Sequence, residues 1–178
     1  EKKQTLFFSA TMPPEVMDLV NSLLHRAFIA TMLLVVYLFY QYIAILVEEE
    51  TGTPRRFDLA AKCFLGAAEL AALVLPVRYA ITPEGNYSTG MQANVCYGGV
   101  AFYLLLCAGL LIANWKQIDR KKRFAIGAAL LIEFTVCALQ GLHHTWLISG
   151  MGITLMTLSF YLTLENPDIL RSELTEQK

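Results

Sequence analysis

Long apolar stretches alternate with short charged or turn-forming clusters along this chain of 178 residues. The clearest stretch, residues 27–47 (AFIATMLLVVYLFYQYIAILV), is uncharged and long enough as a helix to cross a hydrocarbon core about 30 Å thick. Four more helices are predicted at residues 57–77, 93–113, 124–142 and 145–164. The pattern therefore predicts an all-α fold, an integral membrane bundle of about five transmembrane helices.

The segments between these stretches predict the loops. EEETGTPRR after the first span combines charges with a Gly-x-Pro turn, and neither is tolerated in lipid. Residues 78–92 (RYAITPEGNYSTGMQ) collect turn-forming residues and predict a polar loop. Residues 115–123 (WKQIDRKKR) predict a basic loop with a tryptophan at the membrane edge. His143 and His144 predict a short turn before the last span.

The cations predict an orientation. If the 48–62 loop, the 114–123 loop and the tail are cytoplasmic, most of the 14 Lys and Arg residues lie on the cytoplasmic side. An odd number of spans then places the N-terminus outside and the C-terminus in the cytoplasm. We expect the lipid bilayer to be the first partner of this chain.

Composition agrees with the membrane class. Hydrophobic residues make up 56% of the chain and the mean hydropathy is +0.48, which is too apolar for an ordinary soluble domain. A net charge of −1 gives no sign of a nucleic-acid partner. The cysteines all lie in apolar stretches and are predicted to be free thiols: Cys63, Cys96, Cys107 and Cys137.

Two acidic residues lie near the middle of predicted spans, Glu69 in the second and Glu133 in the fourth. A charge at this depth costs a few kcal/mol, so such residues are candidates for ligand or proton sensing. Gln41 and Gln140 are candidate hydrogen-bond partners, and a proton shared between the two carboxyls would make a sensing element. The alternative is that each carboxyl is neutral and joins helices by hydrogen bonds.

The loop at 78–92 is the one sizeable outer surface predicted, so Tyr79 and Tyr87 are candidate ligand contacts; the alternative is a plain connector. His143 and His144 do not predict a metal site, because adjacent residues on a turn point apart. No phosphate loop, dinucleotide fingerprint or zinc motif occurs in the sequence. We therefore predict no cofactor, no metal and no catalytic residue.

Three phrases between residues 25 and 178 resemble a known class of protein: ITPEGNYSTGMQANVCY, NWKQIDRKKR and YLTLENPDIL. They are similar to the membrane sensor modules of bacterial, Firmicutes-type histidine kinases and GGDEF diguanylate cyclases. The resemblance implies a multi-pass protein of the bacterial cytoplasmic membrane that acts in signal transduction, as a homodimer through its last helix. It also implies that a kinase or cyclase output domain follows residue 178, so the chain is expected to be part of a longer protein.

In that class the phrase resembling ENPD leads out of the membrane toward the output domain. Residues 165–178 are therefore expected to begin a cytoplasmic signalling helix, with Glu165, Asn166, Pro167 and Asp168 as signal-output residues. Asn166 as N-cap and Pro167 at the first helical position are also what a helix start requires.

The first 24 residues resemble something else. KKQTLFFSATMPPEVMDLVNSLL is similar to the motif III region of a DEAD-box RNA helicase, with Ser9, Ala10 and Thr11 in place of its SAT. The P-loop lysine and the DEAD acids of that family are absent from the sequence. We interpret residues 1–24 as a fused or artefactual segment that lies at the membrane surface or extends the first helix.

The sequence thus predicts a sensory input module that passes a packing change through its last helix to an output domain. A small transporter or channel subunit is the alternative, because intramembrane acids and glycine-rich helices also line transport paths. A non-functional fusion of helicase and membrane segments is the second alternative.

Overall fold

The computed structural model describes residues 13–52, 54–55, 57–82, 85–143 and 148–161. Along these residues lie five helices and one β-hairpin: α1 Pro14–Thr51, α2 Asp58–Val74, β1 Arg78–Thr82, β2 Gly85–Thr89, α3 Met91–Ala113, α4 Arg120–Leu142 and α5 Ser149–Phe160. Three of these helices, α1, α3 and α4, are long and apolar enough to cross a membrane, and α5 is a shorter apolar helix. The helical membrane class is therefore supported, whereas five spans and their orientation stay predictions.

Helix α1 is much longer than the predicted span at 27–47. It begins at Pro14, whose fixed φ suits the first turn of a helix, and ends at Thr51, where Gly52 adopts a left-handed φ of 64°. At 1.5 Å per residue its 38 residues extend about 57 Å. The sequence predicts two placements for residues 15–24, at the membrane surface or as an extension of the first helix. In the structure these residues extend the first helix. Residues 1–12, with Ser9, Ala10 and Thr11, lie outside the described residues.

The helices pack in a connected series. Helix α1 packs on α2 and α3, α3 also packs on α2 and α4, and α5 packs on α4. Tyr40 and Tyr103 are buried between α1 and α3 with ring centroids 5.9 Å apart, and Phe39 meets Phe160 of α5 at 5.4 Å. The core therefore lies along the C-terminal half of α1. All four cysteines are free, as predicted.

The segment predicted as a polar loop at 78–92 contains an antiparallel hairpin. Its register pairs Arg78 with Thr89 and Thr82 with Gly85. Each strand is five residues long. The turn-forming residues at the centre dominate the composition of this segment, whereas the flanking Tyr, Ile and Thr residues favour strands.

Polar contacts identify the two ends of the bundle. At one end Lys122 of α4 forms an ion pair with Glu50 of α1, so the connections after α1 and before α4 lie at the same end. At the other end Arg26 donates to the carbonyl oxygens of Ala72 and Leu73, where α2 finishes and the hairpin begins.

Candidate functional site

A cavity of about 360 Å³ lies between α1, α3, α4 and the start of α5. Ligand pockets in proteins commonly measure about 300–1,000 Å³. Apolar side chains form much of the wall: Leu24, Phe28, Ile29, Met32, Val36, Ala93, Val100 and Val136. The polar lining residues come from all four helices: Asn21, His25, Tyr97, Glu133, Gln140 and Ser149. The cavity is thus an apolar site with a small number of polar groups.

Glu133 is the most unusual residue of this wall. Its side chain is only 6% exposed, and its Oε1 atom has no hydrogen-bond partner among the described residues. A buried polar atom without a partner costs free energy, and in a native protein it requires a specific explanation. An incoming ligand with a hydrogen-bond donor would supply that partner.

Helix α5 approaches the same carboxyl closely. A Cβ atom built on Gly152 would lie 3.3 Å from Oε1 of Glu133 and 3.0 Å from Cγ1 of Val136. A larger residue would be tighter here than most side-chain contacts, so glycine favours this approach, as small residues do where helices come together in lipid. Because Ser149 also lines the cavity, the N-terminal part of α5 forms a side of the site.

Tyr97 and Gln140 link α3 and α4 at the cavity. Their side chains share a hydrogen bond. The Cys96 and Cys137 thiols also line the wall and lie close enough to interact electrostatically. These two helices therefore hold each other beside the cavity through polar as well as apolar groups.

The sequence analysis found part of this site. Glu133, Val136, Cys137 and Gln140 are spaced i, i+3, i+4 and i+7, so their common helix face is visible in the sequence. It missed Tyr97, Cys96, Asn21 and His25, which come from other helices. No local pattern assigns these residues to the same cavity as Glu133.

The other predicted acid, Glu69, is not among the cavity residues. It is half-buried on α2, and no hydrogen bond joins it to Glu133 in the described part of the chain. Helix α2 packs on α1 and α3, whereas α4 packs on α3 and α5. A proton shared between the two carboxyls, one of the two possibilities considered from the sequence, therefore stays a hypothesis.

Gln41 belongs to a separate polar cluster where α1 meets the start of α2. Its Nε2 atom donates to the Tyr37 hydroxyl at 2.9 Å and to Oδ1 of Asp58 at 2.7 Å. Asp58 also pairs with Lys62 at 2.7 Å. Because these contacts join two helices, Gln41 acts here as an interhelical hydrogen-bonding residue.

The remaining candidates are described only in part. Tyr79 lies on β1 opposite Ser88, and Tyr87 lies on β2 opposite Ala80, but their side chains are not described. The signal-output residues Glu165, Asn166, Pro167 and Asp168 lie outside the described residues, as does His144. Within the described ranges, no group of three His, Cys, Asp or Glu side chains is placed to hold a metal ion.

The arrangement is suited to binding a small molecule between helices, with one carboxyl to recognise it. Comparison with protein-family models, with curated proteins and with solved structures finds no match to this chain.

Proposed function

We propose that this chain is the membrane-embedded sensory input module of a bacterial signal-transduction receptor, and that the cavity beside Glu133 is its stimulus site. The contact between Gly152 of α5 and Glu133 of α4 carries the proposal. It puts the last described helix directly against the wall of the cavity. A molecule that enters the cavity therefore acts on the packing of α5.

Two contacts hold α5 in place. Gly152 packs on α4, and Phe160 packs against Phe39 and Tyr42 of α1 at ring-centroid distances of 5.4 and 5.2 Å. Because α1 and α4 both line the cavity, a ligand that changes the distance between them moves the two supports of α5 relative to each other. A stimulus shifts the helix between two packings by binding one of them more tightly.

The signal then leaves through the segment after α5. Residues 162–178 follow α5 in the sequence and include the predicted signal-output residues. In a homodimer that pairs through this segment, a shift of α5 rotates or separates the two output helices, which is a common form of switching.

The proposal is tested by joining the catalytic domain of a receptor histidine kinase after Lys178. Gly152→Val places a side chain against Val136 and Glu133, whereas Gly150→Val is a matched control, since no atom of the described residues lies within 4 Å of a Cβ at Gly150. We expect Gly152→Val to change kinase output several-fold and Gly150→Val to leave it unchanged. Equal output from both variants and the wild type would rule the proposal out.

A transporter is the second candidate, favoured by one observation. Glu133 places a buried carboxyl, whose Oε1 atom has no partner in the described part of the chain, in a cavity between apolar helices, and such acids also serve as proton relays in transporters. Proton flux into proteoliposomes that disappears in Glu133→Gln, together with unchanged kinase output in the fusion variants, would favour transport over sensing.

A further inference from the structure

We propose that the cavity binds a cationic amphiphile, a molecule with an apolar body and one protonated amine that pairs with Glu133. This inference deepens the proposed function, since it names the ligand class of the same site. It concerns binding, which is measured separately from signalling.

The apolar lining of the cavity indicates that the ligand has an apolar body. Phe28, Ile29, Met32 and Val36 line the cavity from α1, and Val100 lines it from α3. Filling this surface removes apolar area from water or from loosely packed lipid, and each further CH₂ group that leaves water strengthens binding. A volume of about 360 Å³ fits a small molecule or a short alkyl chain.

The polar residues that line the cavity indicate that the ligand carries an amine. Oε1 of Glu133 is buried without a partner among the described residues, and an ammonium group is a donor that also carries the complementary charge. Tyr97 and Gln140 already share a hydrogen bond with each other, which leaves the carboxyl as the stronger recognition group.

The charges around the site favour a cationic over an anionic head group. No lysine or arginine lines the cavity among the described residues. Arg26, next in sequence to the lining residue His25, donates instead to the carbonyl oxygens of Ala72 and Leu73. A carboxylate or phosphate ligand would therefore approach Glu133 without an arginine or lysine to balance it, and like charges in a buried site repel strongly.

The experiment uses the full chain in lipid nanodiscs with photoactivatable alkyl probes of equal length, one ending in an amine, one in a carboxylate and one in a hydroxyl. Labelled residues are located by mass spectrometry, and unlabelled decylamine competes for the site. We expect saturable labelling of cavity residues by the amine alone. Glu133→Gln should weaken amine binding about 10- to 100-fold, the contribution expected of a charge-assisted hydrogen bond.

Two further variants control the result. Glu69→Gln removes the other acid of the predicted spans, which does not line the cavity, and should bind the amine as the wild type does. Met32→Trp fills the cavity while Glu133 stays in place and should abolish labelling, which keeps the test valid even if Glu133→Gln fails to fold.

Equal labelling by all three probes, labelling without saturation, or wild-type affinity in Glu133→Gln would overturn this inference. The two proposals fail in different ways. Amine binding without any effect of Gly152→Val on kinase output would support the ligand class and overturn the sensory function. A response to Gly152→Val without amine binding would support the sensory function and overturn the ligand class.

Discussion

At the scale of the residue, two adjacent glycines of α3 have different surroundings. A Cβ built on Gly99 would lie 2.3 Å from Cδ2 of Leu33, and Leu33 is itself fully buried, so the leucine has little space to move. Nothing lies within 4 Å of a Cβ on Gly98. The sequence identifies both as small residues of a membrane helix, but only the packing of α1 on α3 distinguishes them.

We expect Gly99→Ala to lower the free energy of unfolding by about 1–3 kcal/mol, the usual effect of overpacking a filled core. Gly98→Ala should change it by less than about 0.5 kcal/mol. Unfolding in mixed detergent micelles, followed by circular dichroism, measures both. Equal destabilisation by the two variants would contradict the close contact of α1 and α3.

At the scale of the element, the start of α4 depends on Asp119. The sequence analysis began this helix at residue 124, after the basic cluster, whereas the structure begins it at Arg120 with Asp119 as N-cap. The carboxylate accepts a hydrogen bond from the Lys121 amide at 2.9 Å. The charged residues of the first turn lie outside the apolar stretch but inside the helix.

Asp119→Ala should lower the free energy of unfolding by about 1 kcal/mol, because it removes an N-cap. The hydrogen bond from the Lys121 amide lowers the pKa of Asp119, so the contribution of the cap is present above the ordinary aspartate range and is lost as pH falls below about 4. Asp119→Asn is the matched control: it caps equally well but has no charge, so this pH dependence should disappear. Amide hydrogen exchange at Lys121 measures both effects.

The C-terminal end of α2 is held by donors from two other helices. Nε2 of Gln92 donates to the Ala72 oxygen at 2.6 Å, and Arg26 donates to the same oxygen at 3.0 Å. Such donors satisfy carbonyls that a helix end leaves without internal partners.

Gln92→Leu and Arg26→Met should each lower the free energy of unfolding by about 1 kcal/mol. The double variant should lose more than the sum of the two, because in each single variant the other donor still reaches Ala72. A double-mutant cycle in mixed micelles measures this coupling. Strict additivity would show that the two donors act independently.

At the scale of the whole molecule, the Lys122 to Glu50 ion pair places the connections after α1 and before α4 at the same end of the bundle, so we expect both on the same side of the membrane. Single cysteines at Gly52 and Gln117, in a chain whose four native cysteines are replaced, should react with an impermeant maleimide from one side. A cysteine at Pro76, beside the hairpin, should react from the other. With the predicted orientation, Gly52 and Gln117 are cytoplasmic. Labelling of Gly52 and Gln117 from opposite sides would contradict the ion pair between α4 and this end of α1.

The sequence by itself determined the membrane class, the positions of the apolar helices and the acids within them. Apolar stretches of the required length and the cost of a charge in lipid are local properties, so they can be read from consecutive residues. It predicted the helix at 93–113 to within two residues of α3, which begins at Met91. It also identified Glu133 and Gln140 as candidate sensing residues, because both are polar residues within a predicted span.

Only the tertiary structure decided which of these residues meet. It places Glu133 with Tyr97, His25 and Gly152 around one cavity, and it leaves Gln41 in a separate cluster with Asp58. It also pairs strand β1 with strand β2. Each of these contacts joins residues from different elements, and helix packing depends on the shapes of both surfaces, which no single stretch of sequence contains.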